Sequence, residues 1–345
     1  VRALPRAELL RAWATLTIPV LIGPLAGPPV GGFLATYASW HWIFLINLPI
    51  GLFGFVLATR ILPSMPGTGA GAPDLTGFVL AGLAAAGVVF GLSVISLPAL
   101  PPAYGLAAVL AGLVLAAAYV RHARLTPAPI LALALFRRPA FRAATLGSSL
   151  FRIGNGAAPF LLALLFQIVL GMTPFASGLL TFVTAAGAIA MKFAVRPLLD
   201  RFGFRLVLSS AALASGGLLM LMATFSAAWP TAAILAVLFL SGFVRSLFFT
   251  AVNPLAFAQT SDAEAGEATA LASVVQQISL ACGVALAGFI LESFEAAGHG
   301  FSAAAFSAAF VAIGLVTMCS APFYMRLPAE AAEALSAPPQ SSGSA

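Results

Sequence analysis

Ten mostly apolar stretches run along the chain, at about 13–36, 42–62, 76–97, 102–120, 143–170, 175–195, 206–227, 230–256, 268–291 and 302–325. A helix rises about 1.5 Å per residue, so roughly 20 apolar residues cross the ~30 Å hydrocarbon layer of a bilayer. None of the stretches alternates strictly as a barrel strand does, and lipid admits only helices or closed barrels. The pattern therefore predicts ten membrane-crossing helices, an all-α integral membrane protein. Two polar connections divide them. A Pro/Gly-rich one (63–77) follows the second span, and a basic one (121–142) follows the fourth. The expected organisation is two helices in 1–66, a linker with two helices in 67–125, a six-helix bundle in 126–328 and a disordered tail in 329–345.

Composition narrows the function. Only 8% of the 345 residues are charged and 61% are hydrophobic, whereas a soluble domain wets its surface with about 25% charged residues. A soluble enzyme, a nucleic-acid binder and a disordered protein are excluded together. The net charge of +6 is explained by where the charges sit. With ten spans the connections alternate between two sides. One side holds Arg2, Arg6, Arg11, Arg60, Arg121, Arg124, Arg137, Arg138, Arg142, Lys192, Arg196, Arg201, Arg205 and Arg326, which is 14 of the 16 basic residues. The other side holds none, and the remaining two, Arg152 and Arg245, fall inside spans. Basic residues mark the cytoplasmic side, so both ends of the chain are expected there, in the bacterial inner membrane. The first stretch is too long for a signal peptide, and no small-residue cleavage site follows it. Cys282 and Cys319 lie in apolar runs without metal-ligand spacing and are expected to act as small buried hydrophobes. No metal site and no catalytic set is expected.

The run Gly23-Pro24-Leu25-Ala26-Gly27-Pro28-Pro29-Val30-Gly31-Gly32 is the most distinctive in the chain. Gly23, Gly27 and Gly31 recur every four residues and form a smooth stripe that another helix can approach closely. Pro24 and Pro28 share that spacing, and each removes a backbone donor and bends the helix. A phosphate-binding loop is excluded, because no Lys-Ser/Thr follows.

This run, with Ser39-Trp40-His41-Trp42-Ile43-Phe44 and Ile46-Asn47-Leu48-Pro49-Ile50-Gly51, resembles the fifth and sixth helices of the fourteen-span drug:proton antiporters, a branch of the major facilitator superfamily. The resemblance implies a major-facilitator-type bundle, with the Gly-Pro run as that branch's antiporter motif, a bend and a seal between two bundles. His41 stands where the family usually has arginine. The hairpin at 76–120 is similar to the branch's two extra central helices. The resemblance also implies four further helices before Val1, with proton-coupling carboxylates among them. Asp200-Arg201-Phe202-Gly203-Phe204-Arg205 resembles the cytoplasmic gating loop of such transporters, although Arg196 occupies a usual glycine position.

Two arginines carry the candidate chemistry. Arg152 lies ten residues beyond Arg142, about 15 Å along a helix and near the bilayer centre. An arginine at that depth costs ~2.5–3.5 kcal/mol on insertion scales, so it should face protein or a water-filled cavity. Asn155 and Gln167 follow close to its face. Arg245 is a second such cation, with Asn253 within about 80° of it at 100° per residue. Gln276 and Gln277 add polarity to the ninth span. These seven residues are expected to line one substrate cavity. By resemblance, the function is proton-coupled efflux of drugs or other small amphipathic compounds by alternating access. It needs no cofactor beyond the proton gradient, and its partners are a small-molecule substrate, protons, the bilayer and a periplasmic adaptor protein. Two alternatives stay open. The cavity holds arginines and amides but no carboxylates, which suits anionic metabolites, or the chain is a truncated fragment that transports nothing. An integral-membrane enzyme would need a clustered catalytic set, whereas His41, His122 and His299 are scattered.

Overall fold

A computed structural model describes residues 26–61, 74–95, 100–127, 129–257 and 265–326. Most of the first apolar stretch, with Gly23 and Pro24, and the tail from 327 lie outside the described residues. Among the described residues every regular element is helical. Helix α1 spans 26–37. Helices α2 (His41–Leu45) and α3 (Asn47–Ile61) make one span. Helices α4 (Leu75–Ile95) and α5 (Pro102–Leu125) form a hairpin. After a 3-10 turn come α6 (Pro139–Leu164), with a π turn at Leu165–Val169, then α7 (Pro174–Met222), α8 (Thr231–Phe257), α9 (Ala265–Ala296), α10 (Ala303–Met318) and α11 (Ala321–Met325).

Eight of these helices or helix pairs are long and apolar enough to cross a membrane. Helix α7 has 49 residues, about 74 Å if straight and far more than one crossing needs. It is broken at Gly203, where φ is +69° and ψ 164°, and there the chain turns back. Both halves pack on the same stretch of α8. Before the break, Lys192 Nζ donates to Thr250 Oγ1 (2.8 Å) and Ala188 O accepts from Ser246 Oγ (2.9 Å). After it, Val207 and Leu208 cluster with Phe248 and Ala251. The expected connection over 196–205 is thus helix on both sides, with a single glycine as the turn. Helix α1 is the described end of the first span, and the order of elements follows the ten-stretch pattern.

Lipid tails are as apolar as leucine, so close packing of small residues holds membrane helices together more than burial does. The hairpin shows this most plainly. Its buried residues are Gly77, Ala84, Gly91 and Val94 on α4 and Gly105, Gly112 and Tyr119 on α5, all but Val94 spaced by seven residues along their helix. A Cβ on Gly91 would lie 2.6 Å from the Gly105 carbonyl oxygen, and one on Gly105 would lie 2.7 Å from that of Gly91. The hairpin then seats on α9, with Leu80 and Ala81 against a cluster containing Tyr119, Leu135, Phe141, Ala268 and Leu271. Within the six-helix bundle one aliphatic-aromatic core fills the half away from the arginines, around Leu161, Phe166, Phe306 and Phe310. A second core, around Phe151, Phe248 and Tyr324, fills the basic half. Cys282 is half-buried, but Cys319 is exposed at the end of α10, which corrects the expectation that both are buried.

A polar node ties the hairpin to the bundle on the basic face. Asp74 Oδ1 accepts the Gly77 N–H at 2.8 Å and capped α4 thereby starts at Leu75. The same oxygen lies 2.7 Å from His122 Nε2 on α5, while Oδ2 accepts the Ile130 N–H at 3.2 Å. The Gly77 N–H first, with His122 and Ile130 adding to it against the opposing effect of burial, holds the Asp74 carboxyl below the usual carboxylate range.

Candidate transport cavity

A cavity of about 530 Å³ lies between α1 and the six-helix bundle. Helix α1 contributes Pro28, Gly31, Gly32 and Ala35. Helix α6 contributes Asn155, Pro159 and Ala163, the first half of α7 contributes Ser177, Thr181, Thr184 and Ala188, and α8 contributes Ser241 and Arg245. Pro159 lacks the N–H that would complete its turn of α6, and the helix ends in the π turn at Leu165–Val169. A π turn advances fewer degrees per residue than an α turn, which swings Gln167 back onto the cavity wall beside Pro159 and Ala163.

Arg245 is the one charged side chain among the described lining residues. It is half-buried, and among the described residues it has neither a carboxylate partner nor a hydrogen-bond acceptor. Asn155 is 5% exposed, and its amide is committed to the second half of α7: Nδ2 donates to Ser215 Oγ at 3.0 Å, and Oδ1 accepts from that hydroxyl at 3.2 Å. It braces the wall more than it offers groups to a ligand. The other polar lining is hydroxyl. Thr181 Oγ1 donates to Ser177 O (3.1 Å) and Thr184 Oγ1 to Thr181 O (2.7 Å), so their protons are used within the helix and their oxygens face the cavity. These hydroxyls were not among the expected cavity residues, although Ser177, Thr181, Thr184 and Ala188 recur at steps of four, three and four, one face of a helix.

The close approach of α1 to α7 differs in detail from the expected glycine stripe. The Cβ of a residue in place of Gly27 or Gly31 would meet nothing within 4 Å among the described residues. The contact runs instead through Gly32, where a Cβ would lie 2.5 Å from Pro174 O, and through Pro28, whose carbonyl a Cβ on Gly178 would strike. The seam then closes with Phe175 N–H donating to Thr36 Oγ1 (3.1 Å) and with Phe33 and Tyr37 in edge contacts of 6.1 and 5.8 Å between ring centres with Phe175.

The seven expected cavity residues do not share one cavity. Asn155, Gln167 and Arg245 line the cavity at α1. Arg152, Asn253 and Gln276 line a separate one of about 400 Å³ between α6, α8 and α9. Gln277 lies in neither lining and is exposed. Asn253 is thus parted from Arg245 although the two are close in helical angle, because their eight-residue separation, about 12 Å, puts them against different neighbours. The expected gating loop stands apart from both cavities. Arg196 Nε and Asp200 Oδ2 are 3.9 Å apart with both side chains mostly exposed, and the Arg201 guanidinium lies 5.4 Å from the centre of the Phe202 ring. Arg205 is exposed. His41 accepts or donates at 2.8 Å with Ser39 Oγ and stacks on Trp40, on the exposed surface.

Residues 144–343 match the model of the major facilitator superfamily. The chain belongs to that superfamily. Among proteins of the superfamily it is similar to MdtD of Citrobacter koseri, named for multidrug resistance, at 33% identity over 332 residues. That alignment covers 95% of this chain and 70% of the relative. MdtD of Yersinia enterocolitica is 32% identical, covering 96% of this chain and 71% of the relative. HsrA of Haemophilus influenzae, named for transport, is 31% identical, covering 88% and 65% respectively. Superfamily membership agrees with the helical membrane architecture, and it places the chain among transporters.

Proposed function

We propose that the chain serves proton-coupled efflux of drugs or other small amphipathic compounds across the bacterial inner membrane, with its basic face toward the cytoplasm. The carrying observation is the cavity at the seam between α1 and the bundle. Its volume of about 530 Å³ suits a small molecule, and its wall is mainly apolar and small, with hydroxyls and one guanidinium. Such a surface binds by shape and desolvation, and it tolerates variation in the ligand. The contacts of Phe33 and Tyr37 with Phe175 hold α1 against α7 beside the cavity. Parting of α1 from α7 at Gly32 and Gly178 would open the cavity along this seam, as alternating access requires. The energy source in this reading is the proton gradient, and a periplasmic adaptor is a further partner that cells with an outer membrane can supply.

One observation favours a second reading, export of anionic metabolites: Arg245 carries the only charge among the described lining residues. The test covers both. Cells lacking their own pumps and expressing the full-length protein are loaded with cationic or anionic fluorescent dyes, and retention is followed with and without a protonophore. Protonophore-sensitive loss of cationic dye supports drug efflux, loss of anionic dye alone supports the second reading, and retention equal to empty-vector cells contradicts both.

A further inference from the structure

The second cavity is unused by this account, and its chemistry is specific. It lies between α6, α8 and α9 and shares no lining residue with the cavity at α1. Four side chains that line it carry N–H or O–H groups with no hydrogen-bond acceptor among the described residues: the Arg152 guanidinium, the Thr145 hydroxyl, and the Asn253 and Gln276 amides. Thr145 is 5% exposed, so its hydroxyl cannot turn to bulk solvent. Arg152 is held from one side by the face of Phe249, 4.4 Å from its guanidinium carbon. Phe249 itself packs edge-on against the stacked pair of Phe151 (5.3 Å) and Phe248 (5.7 Å). Ser148 and Ser149 donate their protons to the Thr145 carbonyl. No aspartate or glutamate is among the described lining residues.

A positive charge in a lining that also holds a buried hydroxyl (Thr145), a half-buried amide (Gln276) and an exposed one (Asn253) selects its ligand by elimination. Water or a neutral amide could accept the hydrogen bonds but would leave the guanidinium charge unbalanced. A halide balances the charge but offers one atom, where a planar guanidinium makes its best contacts as a fork on two oxygens. We propose that this cavity is a binding site for a small oxyanion, an organic carboxylate or a phosphate, held by Arg152 with Thr145, Asn253 and Gln276 as further donors. The site is separate from the proposed efflux path, so it stands or falls independently of transport.

Equilibrium binding of ¹⁴C-benzoate and of ³³P-orthophosphate to the purified full-length protein, at constant chloride, tests it. Saturable binding of benzoate identifies a carboxylate site, and saturable binding of orthophosphate a phosphate site. Arg152→Gln should weaken either at least tenfold, Arg152→Lys should retain part of the affinity, and Gln277→Ala, outside both cavities, should bind as the parent does. Should Arg152→Gln fail to fold, the near-isosteric Thr145→Val decides: binding at least threefold weaker supports the site, and unchanged affinity contradicts it. Absence of saturable binding of both labels overturns the proposal, as does full binding by a folded Arg152→Gln protein.

Discussion

Arg245 holds a guanidinium within the cavity at α1, with no carboxylate beside it among the described residues. A cation at that depth bears the cost of leaving water, and in the proposed function it meets the substrate. Arg245→Ala is expected to lower dye efflux at least tenfold while the amount of protein in the membrane stays unchanged. Arg245→Lys should retain part of the activity, since it keeps the charge and loses the fork. Asp74 makes a prediction about pH. Its folded-state pKa lies below the usual value, so its contribution to stability is fully present above the unfolded pKa, about 3.9, and is lost as pH falls through the folded value. The melting temperature of Asp74→Asn should therefore lie below that of the parent near neutrality, and the gap should close only below about pH 4. A gap that closed between pH 6 and 8 would assign the effect to another group. Both roles were partly legible. An arginine inside an apolar span is conspicuous in any sequence, whereas the partner of Asp74 is 48 residues away on another helix, and no periodicity could have named it.

Elements follow from glycine placement more than from hydrophobicity. At Gly203 the combination of φ +69° and ψ 164° falls in a region that is essentially glycine-only, so Gly203→Ala is expected to cost about 1–3 kcal/mol, although a Cβ there meets no atom within 4 Å. The loss should appear as a lower melting temperature in detergent. In the hairpin the obstacle is space. Gly105→Leu would drive a side chain into the α4 backbone, and the melting temperature in detergent should fall sharply. The spans were readable because about 20 apolar residues permit one structure in lipid. The split of the polar residues between two cavities was not. A helical wheel reports that Asn155 and Arg152 lie some 60° apart, but it cannot say that α7 covers one of them and α9 the other. The glycine stripe shows the same limit, since its spacing announces a close crossing but the residue that makes it depends on the partner's own glycine, Gly178.

At the scale of the molecule, a chain of the major facilitator superfamily presents a cavity at the seam between α1 and its six-helix bundle. In the proposed function, substrate passes through that cavity under the proton gradient. The direct measurement is accumulation of an amphipathic dye in everted membrane vesicles containing the full-length protein and acidified inside. Its comparison is with Ala163→Trp, which places an indole in the cavity from the half-buried wall of α6. The account predicts dye accumulation that a protonophore abolishes, reduced at least tenfold by Ala163→Trp at equal protein in the membrane. Accumulation no greater than in empty vesicles, or undiminished transport by the plugged variant, would contradict it.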